Sequence, residues 1–181
     1  RRRTFNFFSI LGMIGVLLTG GIGLLKLPPG WVAIKEAAIP GILGIATLVS
    51  AFTKYPLVRV FLYRPEIFRV ERIQRRLDQR QTQAGFEKLM RQTTYLLAAS
   101  FFLSTVLNYA LAKWIVVSDA GTEAFNQELG KMMAWSFPVI MVPTLVMTAF
   151  ALWLCFRGLK ELTGLTLEDL LEDPKAKDAT E

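Results

Sequence analysis

Apolar positions in this chain fall into four long runs. Stretches 4–25, 37–53, 93–112 and 132–156 carry no Asp, Glu, Lys or Arg over 22, 17, 20 and 25 residues. A helix rises about 1.5 Å per residue, so about 20 apolar residues cross a hydrocarbon core of about 30 Å. The runs predict four membrane-spanning helices near 4–25, 31–53, 93–112 and 132–156, the second taking Lys35 and Glu36 into its first turns. The expected architecture is an all-α polytopic bundle over 1–160, with a cytoplasmic loop at 54–92 and an acidic tail at 161–181.

Small and polar residues pattern the spans further. Ala33, Ala37 and Gly41 recur at four-residue spacing, a stripe that lets helix backbones approach closely. Ser100, Ser104, Asn108 and Ala112 share one face of the third span. Hydroxyl and amide groups lack partners in lipid, so this face is expected to point into the bundle, with Asn108 bonded across to another span. Pro40, Pro138 and Pro143 interrupt the second and fourth spans. The glycines at 20, 21 and 23 are weighed against a phosphate-cradling loop. No Gly-Lys-Ser/Thr follows them, so helix packing is the better reading.

The one long polar segment, 54–92, contains an amphipathic pattern over 66–77. Ile67, Val70, Ile73 and Leu77 share a face and arginines fill the remainder. A basic amphipathic helix beside a membrane is expected to lie on anionic headgroups, here through Arg69, Arg72, Arg75 and Arg76. Nucleic-acid binding is disfavoured, because no zinc spacing, aromatic RNA-binding pattern or helix-turn-helix signal accompanies the charge.

Composition sharpens the membrane reading and removes chemistries. The 181 residues are 52% hydrophobic and 20% charged, with a net charge of +6. Without histidine, imidazole catalysis and His-ligated metals are excluded. The single Cys155 can form neither an intrachain disulfide nor a thiolate cluster. No cofactor, metal or catalytic residue is therefore expected. Asp119, Glu123 and Glu128 lack the spacing of a calcium loop and read as a solvated cap. Glu36, at the edge of the second span, is the ionisable candidate at membrane depth, weighed against simple pairing with Lys35 or an outer-loop cation.

The cations are strongly asymmetric. Three lie before the first span, ten in 54–92 and four after the fourth span, against two in each of the other links. The positive-inside rule then places both termini and the 54–92 loop in the cytoplasm.

Several strings together resemble a known group. They are Arg1-Arg2-Arg3-Thr-Phe-Asn-Phe-Phe-Ser9, Leu17-Leu-Thr-Gly-Gly-Ile-Gly23, Lys35-Glu-Ala-Ala-Ile-Pro40, Lys54-Tyr-Pro-Leu-Val-Arg59, Leu107-Asn-Tyr-Ala-Leu-Ala112, Gly121-Thr-Glu-Ala-Phe-Asn-Gln-Glu-Leu-Gly130 and Leu162-Thr-Gly-Leu-Thr-Leu-Glu168. The set resembles bacterial inner-membrane proteins related to intracellular septation protein A, some of them labelled major-facilitator transporters. The resemblance implies a helical inner-membrane protein with two further spans upstream, six in all, and brings no catalytic residues. Two functions compete: a non-enzymatic envelope scaffold, as a homo-oligomer or with envelope partners, and a small-solute permease lined by Ser100, Ser104 and Asn108.

Overall fold

The computed structural model describes residues 28–64 and 67–171, with single positions at 13, 16, 17, 21 and 25. Apart from those single positions, the span expected near 4–25 lies outside the described residues, as does the tail beyond Leu171. Among the described residues the chain is helical. Helix α1 is Gly30–Ala51, α2 Leu57–Leu62, α3 Val70–Arg80, α4 Gln83–Ile115, α5 Glu123–Ser136, α6 Val142–Thr163 and α7 Leu167–Leu170, with a π turn, Phe137–Met141, joining α5 to α6. Three helical stretches are long and apolar enough to cross a membrane: Gly30–Ala51, Gln83–Ile115 and Glu123–Thr163. Only 17–28% of their most apolar windows is buried, so most of that apolar surface faces outward, as lipid contact requires.

Two of these helices outrun the apolar stretches that predict them. The third begins at Gln83 rather than near 93, and the fourth at Glu123 rather than near 132. Uncharged runs mark what a bilayer tolerates, whereas a helix continues through Glu, Lys and Gln wherever one face still packs. At 83–92 that face is Phe86, Leu89 and Met90, all buried. At 123–131 it is Phe125, behind an N-cap in which the Thr122 hydroxyl accepts the Phe125 N–H at 3.2 Å.

The prolines are accommodated without breaking the spans. Pro40 lies inside a continuous α1. Around Pro138 the backbone widens into the π turn, where the Val142 N–H reaches the Phe137 carbonyl. After Pro143 the Thr144 hydroxyl donates to the carbonyls of Ile140, at 2.7 Å, and Met141, at 3.1 Å. A hydroxyl thus takes up acceptors beside a proline, which hydrocarbon cannot satisfy.

The chain divides into two compact units. The first comprises Arg1–Ile42 and Phe101–Leu145. Its core joins Val32 and Ala33 of α1 to Leu111 and Ala112 of α4 and to Phe125 and Met132 of α5. The small-residue stripe of α1 lies on this packed side: Ala33 is buried, and a Cβ at Gly41 would stand in ordinary contact with Thr105, 3.5 Å away.

The second unit comprises Leu43–Ser100 and Val146–Glu181. Its core draws on α2 (Val58, Leu62), α3 (Ile73, Leu77), the start of α4 (Phe86, Met90), the end of α6 (Cys155, Leu159) and the residues after it (Leu165, Leu170). Close approach of α4 and α6 holds it together. A Cβ at Gly158 would lie 2.6 Å from a Leu89 methyl, and one at Gly85 would lie 2.8 Å from a Leu162 methyl. Helix α6 stops at Gly164, whose φ of +71° suits glycine, with its N–H on the Lys160 carbonyl at 2.8 Å. The chain then turns back, and the Arg69 N–H donates to the Leu170 carbonyl at 2.9 Å beside a two-residue bridge between Phe68 and Leu171.

The Gly158 contact predicts an asymmetric substitution series. Gly158→Ala displaces only the end of the Leu89 side chain and recovers helix propensity, so its net effect on stability is within about 1 kcal/mol. Gly158→Leu has no such outlet and should lower stability by about 1–3 kcal/mol or more. Thermal unfolding of the purified protein in detergent checks this; equal midpoints for Gly158→Leu and the native chain would refute the contact.

Candidate functional site

The polar stripe of α4 closes most of its hydrogen bonds on its own helix. The Asn108 amide donates to the Ser104 carbonyl at 2.7 Å and to the Ser104 hydroxyl at 3.2 Å. Among the described residues the expected bond from Asn108 to another span is not made. A carbonyl one turn back is always within reach of an Asn side chain, and taking it costs no helix-to-helix alignment. The interhelical bond of the stripe forms at Ser100 instead. Thr148 of α6 donates to the Ser100 hydroxyl at 3.3 Å while Ser100 donates to the Leu97 carbonyl at 2.8 Å. Ser100 is buried and faces protein; Ser104 and Asn108 are half-buried.

Glu36 pairs with Lys35 at 2.5 Å, both half-buried. No hydrogen bond joins Glu36 to Ser100, Ser104 or Asn108 among the described residues, so these four do not form one constellation there.

The basic segment also differs from its expected setting. Helix α3 runs 70–80, and the apolar face expected to meet lipid is divided: Ile73 and Leu77 are sealed into the core of the second unit, whereas Ile67 stays exposed. Intramolecular partners compete with the bilayer for this face, and Phe86, Leu159 and Leu170 occupy the same core. The arginines divide accordingly. Arg72 pairs with Asp169 at 2.9 Å, Arg75 pairs with Glu71 at 3.2 Å on the outer surface, and Arg76 is exposed. Arg69 lies at the start of α3, its backbone tied to Leu170. The Thr166 hydroxyl and N–H, with Arg72 and Arg69 nearby, hold the Asp169 carboxyl below the usual aspartate range.

At the link between α4 and α5 one carboxylate serves the backbone. Glu128 accepts the N–H groups of Val117 and Ser118, both at 2.9 Å, and the Ser118 hydroxyl at 2.7 Å. It ties the link to α5. Among the described residues no group of three acidic or thiol side chains is placed to hold a metal ion.

One cavity gathers residues that sequence reasoning leaves among the ten cations of the loop. It has a volume of about 320 Å³ and lies where α1 hands over to α2, lined by Lys54, Tyr55 and Arg59 and by Glu87, Met90 and Arg91 of α4. The signal for it was present in Lys54-Tyr-Pro-Leu-Val-Arg59, whose proline turns the chain, but its partner Arg91 is 32 residues further on. A second cavity, of about 250 Å³, is apolar and lined by Leu111, Trp114, Ile115, Trp135 and Val139.

If Ser100 and Thr148 are the coupled pair of the stripe, a double-mutant cycle should show it. Ser100→Ala and Thr148→Val should be non-additive by about 0.6 kcal/mol, the usual size of an interhelical hydrogen bond in lipid. Asn108→Leu with Thr148→Val should be additive, and the reverse pattern would refute the assignment. No family model matches this chain, and no curated protein or solved structure matches it significantly.

Proposed function

We propose that this chain is a multi-pass protein of the bacterial inner membrane that acts as a non-enzymatic scaffold of the septation type. The observation that carries the reading is the packing of the second unit. Segments that count in the sequence as a loop and a tail share one core, through Leu77, Phe86, Leu159 and Leu170. Such a module offers partners a rigid surface at the ends of the apolar helices. The internal bonding of Asn108, Ser104, Ser100 and Thr148 supports the same reading, because those groups are spent on one another and on their own helices. The resemblance to septation protein A relatives points the same way. The partners are envelope proteins or a second copy of the chain, and exposed Arg75 and Arg76 face the anionic headgroups.

The π turn beside Pro138 favours a second reading, a small-solute permease, because such turns recur where helices line functional paths.

One set of variants separates the two. Under the scaffold reading Asn108→Leu supports normal septum spacing, whereas Leu77→Asp, which places a carboxylate in the module core, abolishes it. Measuring cell length in cells that depend on each variant decides the matter. Loss of function in a folded, normally abundant Asn108→Leu protein would favour the permease and refute the scaffold.

The charge asymmetry supports a cytoplasmic location for both termini, the 54–92 segment and the module. On a Cys155→Ala background, Asp119→Cys should react with an impermeant maleimide in intact cells and Gln79→Cys only after lysis; both positions are exposed. External labelling of Gln79→Cys would overturn the orientation.

A further inference from the structure

The cavity at the α1–α2 corner has an unusual charge balance. Lys54, Arg59 and Arg91 face a single carboxylate, Glu87. Three other arginines of the second unit are matched within the chain: Arg72 with Asp169, Arg75 with Glu71 and Arg157 with Glu161. In the cavity, Lys54, Arg91 and Glu87 form no ion pair with any described residue. Arg59 is held in place without being neutralised. Its guanidinium donates to the Lys54 carbonyl at 3.3 Å and lies over the rings of Tyr55 and Tyr63, at 5.8 and 5.2 Å.

The corner carrying two of these cations is braced. The Ser50 hydroxyl donates to the Thr47 carbonyl at 2.6 Å and accepts the Leu57 N–H at 3.1 Å. The Thr53 hydroxyl donates to the Ser50 carbonyl at 2.8 Å and accepts the Tyr55 N–H at 3.1 Å. Both ends of the 53–57 turn are therefore tied to the last turns of α1. On the other wall, Glu87 and Arg91 stand four residues apart on α4, with buried Met90 between them. Concave shape, a guanidinium held in place at Arg59 and an excess of positive charge suit an anion, and guanidinium groups match phosphate oxygens in pairs.

Its position selects the kind of anion. The cavity opens at the end of an apolar helix, beside Phe52 and Tyr55, which are 72% and 68% exposed. Aromatic side chains at the end of a span mark headgroup depth, where basic pockets take lipid phosphates. We infer that the cavity lined by Lys54, Arg59 and Arg91 binds the phosphate of an anionic glycerophospholipid. The inference rests on the membrane reading above and needs neither the scaffold nor the permease. Glu87 is the repulsive element of the site and makes its test signed.

Binding is measured on the full chain in a neutral detergent, by native mass spectrometry with phosphatidylglycerol, phosphatidylcholine and inorganic phosphate as separate probes. Phosphatidylglycerol should bind in a saturable one-to-one step and phosphatidylcholine far more weakly. Lys54→Gln and Arg91→Gln should each weaken phosphatidylglycerol binding about fivefold, the usual effect of one cation at an anionic surface. Glu87→Gln should strengthen it, and Arg76→Gln, an exposed arginine outside the cavity, should leave it unchanged. The side chains of Lys54, Arg91 and Glu87 make no hydrogen bond or ion pair with a described residue, so thermal unfolding should not shift in these variants. An equal loss from Arg76→Gln would mean diffuse attraction and overturn the site. Equal binding of the two lipids would do the same, and displacement by inorganic phosphate at concentrations comparable to the lipid would reassign the site to the free anion. Failure of the maleimide experiment with lipid binding intact would refute the orientation alone.

Discussion

The second unit depends on how closely α4 and α6 approach one another. Gly158 lets Leu89 lie directly on the α6 backbone, and Gly85 does the same for Leu162. Helices separated by ordinary side chains on both sides lie about 8–10 Å apart, and replacing one side by hydrogen shortens that distance. With the two helices drawn together, Phe86 and Leu159 belong to one core, which Leu77 of α3 and Leu170 beyond α6 complete. Remove the close contact and the segments around it have too little apolar surface each to stay folded separately.

A second constraint runs through the apolar helices, where backbone and side-chain polar groups have to be satisfied locally. Ser100, Thr105, Asn108, Thr144 and Thr163 all return a bond to a carbonyl three or four residues back. These bonds are cheap in geometry because the helix already holds donor and acceptor in register. They leave little polarity for contacts between helices, and the Thr148–Ser100 bond is correspondingly long at 3.3 Å. Packing of small and apolar residues carries the cohesion instead.

The sequence was most legible where one physical quantity dominates. Apolar length marks the spans near 31–53, 93–112 and 132–156, and the small-residue spacing marks the packed side of α1. Helix ends were less legible, since Gln83 and Glu123 start helices inside polar segments on the strength of tertiary contacts no local pattern reveals. The same holds for α3. Its amphipathic period is plain in the sequence, but a period says only that a face will be covered, and Leu159, Leu165 and Leu170 are the cover. At Asn108 the polar stripe indicates a face but not a partner, because a carbonyl one turn back competes with any neighbouring helix. The cavity was only half legible for a related reason: Lys54 and Arg91 become neighbours only after α1 and α4 are in place.

The order in which this core is assembled has a consequence for biogenesis. Phe86 and Leu170 are 84 residues apart in the chain, so at about 5–20 residues per second the ribosome needs roughly 4–17 s to supply the last member after the first. During that interval Ile73 and Leu77 stand on a helix rich in arginine without the residues that later seal them. Helix α3 is thus complete long before the core that seals its Ile73 and Leu77 can close.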